Sequence, residues 1–381
     1  YASGRKINMD RGLQLSLKDG PKRKPRRMSE NDNIIVDMST RIFQDLCDPQ
    51  TINSAQNDAW KEPLWSALEE AGLTAGFVSE ELGGAGIEIS DAFEILRVAG
   101  KFAVPTPLAE TMLAGWLLSQ GEIGFPGGRL SVAPVREKDR LSIDNNNTLT
   151  GTARSVPFAR EADSFAVVAR RGDEVVIALV DAASCQIANG LSLADDAKDE
   201  VTLDGVVASE VGRAPDEFNE DALFMMGALA RSCEMAGALE AMLEISVTYS
   251  QDRVAFERPI SKFQAVQHNL ARLAGEAAAA VCAAGSAADA LQRAGSFDED
   301  VFFEIASAKI RVGEAAGEGA GIAHQVHGAI GFTMEHILHR YSRRVWSWRD
   351  EFGSESIWAV RLGEAVAAKG SDALWATLES R

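Results

Sequence analysis

The chain has 381 residues, 46% of them hydrophobic, enough for a sizeable core and for two or three domains. Its formal net charge of −18 argues against nucleic acid as the main partner. Aromatic residues make up only 7%, while glycine and alanine are plentiful; that balance favours close-packed helices over a β-rich fold.

Residues 1–27 hold nine Lys or Arg against two Asp, so the remainder is more acidic than the whole. This basic opening lacks the apolar segment of a secretion signal. It is read as a leader or tag, disordered, with Met28 as the native start; a nucleic-acid or transit role is the alternative. Cys47, Cys185, Cys233 and Cys282 lie far apart and form no CxxC. They point to buried, reduced thiols and a cytoplasmic location. No uninterrupted apolar stretch is expected to span a bilayer.

From Asp37 to about Glu122 the apolar residues recur at helical spacing, as in Ile42, Phe43 and Leu46 and again in Trp60, Leu64, Trp65 and Leu68. Gly83, Gly84 and Gly86 break the pattern. Helices are then predicted over 91–102 and 108–118, separated by Pro105 and Pro107. Between Arg129 and Val211 the period changes to short β-rich runs, at 130–135, 165–169, 175–180 and 201–203, with turn signals between them. Helical periodicity returns over 224–253, 262–293, 296–321 and within 343–369, which describes a four-helix bundle. The expected fold is mostly α with a middle β domain of barrel-like character. Its expected limits are 28–125 for the N-terminal helical domain, 126–215 for the β domain and 216–381 for the bundle.

Two stretches carry a specific resemblance. The run Arg253-Val-Ala-Phe256-Glu257-Arg-Pro259-Ile-Ser-Lys-Phe-Gln264-Ala-Val-Gln-His268 resembles the signature R-x-x-F-G-x-P-I-x-x-F-Q-A-V-Q-H of the acyl-CoA dehydrogenase family. Gln325-Val-His-Gly328-Ala329-Ile-Gly331-Phe-Thr333 resembles that family's Q-x-x-G-G-x-G-F-T loop. Weaker matches lie at Gly72–Gly86 and from Thr150 to Asp163. The resemblance covers nearly all of residues 35–370.

What it implies is an FAD enzyme acting on an acyl-CoA thioester. Arg253 and Gln264 would help hold the FAD of a neighbouring subunit, with Phe256 packed near it. Gln325, Gly328 and Ala329 would contact the FAD pyrophosphate of the facing subunit. An arginine fork suits a pyrophosphate, and glycine lets the main chain approach one. Glu257 stands where the family has glycine; a carboxylate there either opposes the phosphates or points to solvent. The family's reaction takes a proton from Cα with a carboxylate while the flavin accepts hydride from Cβ, and electrons pass to an electron-transfer flavoprotein. The base needs a pKa raised by burial.

Here the chain departs from the family. In the Y-E-G-T register the glutamate falls on Phe352, with Gly353 and Ser354 matching the glycine and threonine; Ser354 keeps a flavin-bonding hydroxyl. Glu351 is one residue away. The other family position for the base, near Met226–Arg231, has no acid, and Glu234 is the nearest. Glu351 and Glu234 are therefore the candidate catalytic residues. The family's T-E-P-x-x-G-S-D flavin loop is replaced by Val132-Ala-Pro-Val-Arg-Glu137.

Other patterns have plainer readings. The two HxxH pairs at His324/His327 and His336/His339 predict no metal site. Glu80 and Glu81 read as a solvated helix end, Trp346 and Trp348 as core or interface. Arg340, Arg343 and Arg344 read as a solvated or intersubunit face, with contact to CoA phosphates as the sharper alternative. Two functions stay open: a self-sufficient acyl-CoA dehydrogenase, and a non-catalytic chain that completes the site of a paralogous partner. A third is a scaffold that binds CoA thioesters without turnover. FAD contacts that cross an interface imply a homo-oligomer or a heteromer with a paralogue.

Overall fold

The computed structural model describes residues 30–215, 218 and 220–379. The basic leader and Met28 lie outside the described residues.

Five helices come first: α1 (Glu30–Leu46), α2 (Pro49–Ser54), α3 (Lys61–Glu70), α4 (Ile89–Lys101) and α5 (Leu108–Gln120). Asp48 caps α2 by accepting from the Thr51 N–H, with Pro49 at the start of that helix. Helix α5 is buried along its whole length from Leu108 to Leu118, as expected of a helix that is apolar on every side. It lies against the strands that follow.

The β domain holds β1 (Leu130–Ala133), β2 (Leu141–Ile143), β3 (Thr148–Pro157), β4 (Ser164–Arg171), β5 (Glu174–Asp181), β6 (Gln186–Ala188), β7 (Lys198–Val207) and β8 (Glu210–Arg213). They form one sheet in the order β6-β7-β3-β2-β4-β5-β8, with β1 parallel to the start of β4. The tight hairpin β4–β5 pairs Ser164 with Asp181 through to Arg171 with Glu174. The near-continuous apolar run of β4 is buried on both faces because α5 covers it. Strand β3 was not legible beforehand. Its Thr, Gly, Arg and Ser residues break the alternation, and β7 supplies its register.

The bundle is built from α6 (Glu220–Asp252), α7 (Gln264–Ala294), α8 (Glu299–His327), α9 (Leu338–Asp350) and α10 (Glu355–Lys369), followed by a short α11 (Leu374–Glu379). A small hairpin, β9 (Val254–Ala255) and β10 (Arg258–Pro259), joins α6 to α7. Two helix expectations change. Helix α8 runs past Gly321 through Gln325 to His327; its glycines do not end it, and Gly319 is a packing point against Leu239 of α6 and Leu273 of α7. The segment 343–369 is two helices. It breaks at Phe352 and Gly353, which adopt φ of 52° and 91°.

Helix α6 is long and apolar enough to cross a membrane by length and composition, which the sequence reading had not expected of any segment. Its apolar window is wholly buried in the protein, and α4, α7, α8 and α9 surround it. Gly100 on α4 and Gly237 on α6 let these two backbones meet, since a Cβ at either would strike the other helix's main chain. All four cysteines are free. Cys47 and Cys233 are buried as expected, but Cys185 is half-buried and Cys282 exposed.

Candidate functional site

The two family-like motifs meet at the far end of α6. Arg253 leaves α6, and Gln325, His327, Gly328 and Ala329 leave α8; all of them border one open groove of about 870 Å³. Tyr249 ties the walls together. Its hydroxyl donates to the His327 carbonyl (3.2 Å) and its ring stacks on the His327 ring at 4.4 Å. Gly328 takes φ 65° and ψ −143°, a conformation only glycine holds easily, and a Cβ there would point into open space. The groove thus offers an exposed guanidinium, an exposed amide and an approachable main chain.

Gln264, the first residue of α7, is exposed and does not line this groove. Phe256 stands at the tip of the β9–β10 hairpin, 90% exposed, with φ 52°, and Glu257 beside it has φ 65°. Ser354 is placed elsewhere. It is the N-cap of α10, its side chain making no capping hydrogen bond, beside a second cleft of about 320 Å³ between Val135–Lys138 of the β domain and the α9–α10 turn. The donor set of the groove fits the phosphate end of a dinucleotide. The second cleft, bordered by Arg136, Glu137, Lys138, Arg154 and Asp350, lacks the family's flavin-ring loop.

Phe352 fills the position expected for the base. Its ring is buried against α6 at Gly227, where a Cβ would come within 2.3 Å of it, and it meets Phe224 edge-on at 6.4 Å. The Trp358 indole donates to the Phe352 carbonyl (2.9 Å) and holds the left-handed turn.

The two candidate carboxylates lie in one buried charge cluster centred on Arg231. Its Nε donates to Glu351 Oε2 (2.7 Å), its Nη1 to Glu234 Oε2 (2.5 Å), and its Nη2 to Glu110 of α5. Lys198 of β7 meets Glu351 Oε1 at 2.9 Å, and Ser347 donates to the same oxygen (3.2 Å). The sequence had placed Glu351 as a base; the geometry gives it two cations and leaves it a very weak one. Burial works against its ionisation, yet Arg231 and Lys198 prevail and hold its carboxyl down at about 2. Burial raises Glu234 to about 7 against the pull of Arg231, and raises Glu110 for the same reason. Neither carboxyl borders either cleft. Lys309, buried beside the cluster, donates to the Trp348 carbonyl (2.9 Å) and is lowered by burial to about 7.

Glu110, Lys198 and Arg231 escaped the sequence reading because they come from three separate elements with no local motif. Glu80 and Glu81 are exposed at a single 3₁₀ turn. His324 is stacked between Phe332 (4.3 Å) and Trp346 (5.6 Å), as a ring in an aromatic stack.

Comparison with known proteins agrees with this layout. Residues 220–366 match the family model "Acyl-CoA dehydrogenase, C-terminal domain". Acyl-CoA dehydrogenase IpdE2 of Mycolicibacterium smegmatis is 28% identical over 83% of this chain and 93% of its own. Benzylmalonyl-CoA dehydrogenase of Aromatoleum aromaticum is 25% identical over 84% and 93%. Among solved structures, the ChsE4–ChsE5 complex of Mycobacterium tuberculosis superposes with a TM-score of 0.79 over 90% of this chain and 98% of the other, at 22% identity. Butyryl-CoA dehydrogenase of Megasphaera elsdenii superposes at 0.77 over 90% and 100%, at 17% identity. With the two bundle motifs meeting in one groove and the family match over residues 220–366, the bundle of this chain belongs to the acyl-CoA dehydrogenase family, and nine-tenths of the chain shares the fold of these solved structures.

Proposed function

We propose that this chain is a subunit of an FAD-dependent acyl-CoA dehydrogenase heteromer, in which it completes the cofactor site of a paralogous chain and leaves proton abstraction to that chain. The observation that carries this reading is a contrast within one molecule. The groove of Arg253, Gln325 and Gly328 offers a donor set suited to phosphate, while Phe352 stands where the Y-E-G-T register expects the base and the candidate carboxylates Glu351 and Glu234 are bound to Arg231, Glu351 also to Lys198.

When bound, the flavin supplies hydride acceptance from the Cβ of the acyl group. Arg253 would hold pyrophosphate oxygens with its fork. Gly328, whose own N–H donates to the His324 carbonyl, has no side chain and would let the same phosphates approach the loop's main chain, and Gln325 would add an amide donor. Gln264 and Phe256, exposed at the α6–α7 turn, would help hold the cofactor of a neighbouring chain. Glu351 stays ionised and bound to Arg231, so it takes no proton from substrate. In such an assembly FAD would be held between two chains, acyl-CoA would be bound against the partner's carboxylate, and an electron-transfer flavoprotein would be the electron acceptor. The assembly of two different chains in the ChsE4–ChsE5 complex supports this arrangement.

Self-sufficient dehydrogenation is the second reading, and Glu234 at about 7 is what favours it. The visible spectrum separates the two. The chain purified alone is expected to be colourless and to stay so with added FAD. Co-expressed with a family paralogue that carries the Y-E-G-T glutamate, it is expected to yield a flavin-bearing complex bleached by acyl-CoA. Flavin bleached by acyl-CoA in the lone chain, with bleaching lost in Glu234→Gln, would establish the second reading instead.

A further inference from the structure

We propose that the first half of α9 carries a separate anion site, built for a phosphate-bearing ligand, at the junction of the N-terminal helices, the β domain and the bundle. Arg340, Arg343 and Arg344 border a cavity of about 520 Å³ there, together with Lys61 and Arg160. The cavity is distinct from the groove at Arg253 and from the cleft at Phe352, sharing no lining residue with either.

The cations of this wall can be matched one by one. Lys61 meets Glu161 at 3.2 Å and Asp58 at 3.1 Å. Arg160 is bound to Asp199. Arg343 meets Asp195 at 2.7 Å, and Arg344 Nη2 meets Asp196 Oδ1 at 2.5 Å. Each acid facing the cavity is therefore already engaged. Arg340 is the exception: among the described residues its guanidinium makes no ion pair and no side-chain hydrogen bond. Its Nε is shut away from solvent, and so is the Nε of Arg344, each without a partner.

Such an arrangement is unfavourable by itself. Arg340 and Arg344 are one helical turn apart, and like charges at that spacing repel. A half-buried guanidinium loses hydration that nothing here replaces. Burial first, and then Arg344, lower Arg340 to about 10. An anion seated between the two side chains would relieve both penalties at once. Phosphate suits the site because its several oxygens accept planar guanidinium donors in pairs, and the cavity leaves room for more than the phosphate itself. Free phosphates and the phosphates of a nucleotide or of coenzyme A share this chemistry.

Calorimetric titration of the full chain tests the site, with inorganic pyrophosphate in one arm and adenosine diphosphate and coenzyme A in the others. Saturable binding is expected, weakened about tenfold or more in Arg340→Ala, as for loss of a charged hydrogen bond. Arg340→Lys should bind in between, keeping the charge without the fork. Arg253→Ala, which removes the guanidinium of the other groove, should keep the binding component that Arg340→Ala loses. Pyrophosphate should raise the melting temperature of the parent and of Arg340→Lys but not of Arg340→Ala. Tighter binding of the adenine-bearing ligands would assign the site to a nucleotide, and equal binding to the bare phosphate. No saturable binding, or a loss that follows Arg253→Ala in place of Arg340→Ala, overturns the proposal.

Discussion

Glu351 and Glu234 are a few ångströms from the same guanidinium, and their proton affinities are driven in opposite directions. Glu351 has two cations, so its folded pKa falls below its ordinary value of 4.5 to about 2. The stability it contributes is complete above pH 4.5 and is lost as pH falls toward 2. Glu234 is raised from 4.5 to about 7. Between those values the unfolded chain has released a proton that the folded chain still holds, so its contribution is lost as pH rises through that window. Urea midpoints measured from pH 3 to 8 should show both slopes. Glu234→Gln should flatten the decline between pH 4.5 and 7, and Glu351→Gln the decline on the acid side. Each term is worth roughly 3 kcal/mol at most. An unchanged pH profile in both variants would mean the cluster is not ionised as its geometry requires.

At the scale of the element, the α9–α10 break decides which side chain stands where the Y-E-G-T register expects the base. Four residues between the helices, Glu351 to Ser354, turn one side chain toward Arg231 and the next toward Gly227. Two left-handed residues in a row are needed for this, which is why a helical wheel drawn through 343–369 misplaces Glu351. Gly227 is the complementary element on α6. Gly227→Ala would drive a methyl into the Phe352 ring, and crowding of this kind costs about 1–3 kcal/mol. Combining it with Phe352→Ala should recover much of that loss. A double-mutant cycle on thermal or urea unfolding measures the coupling; additive effects would show that the ring does not occupy that space.

Across the whole molecule, the charge cluster draws on α5, α6, β7 and the end of α9, so it ties the N-terminal helices, the sheet and the bundle to one guanidinium. Arg231→Met should remove about 3–5 kcal/mol of stability by stranding buried Glu110 and Glu234 and leaving Glu351 paired to Lys198 alone, read as a lower urea midpoint. Loss of the shared centre should also separate the β-domain transition from that of the bundle. At the same scale, Arg253→Ala should leave assembly with a paralogue intact while lowering its flavin content, checked by mass measurement alongside the absorbance of the complex.

How much of this was legible in the chain follows from the range of the interactions. Long helices such as α6 and α7 and the apolar strands β4 and β5 declare themselves through periodicity, because each buries a face or all of itself along its own length. Arg253, Gln325 and Gly328 were singled out by their resemblance to two family motifs, and the fold brings them to one groove. Polar β3 took its place from β7. The fate of Glu351, the burial of Phe352 against Gly227 and the isolation of Arg340 were decided only by tertiary structure. Each depends on partners from distant segments, and the environment of a charge or a ring is a property of the packed molecule, not of its neighbours in sequence.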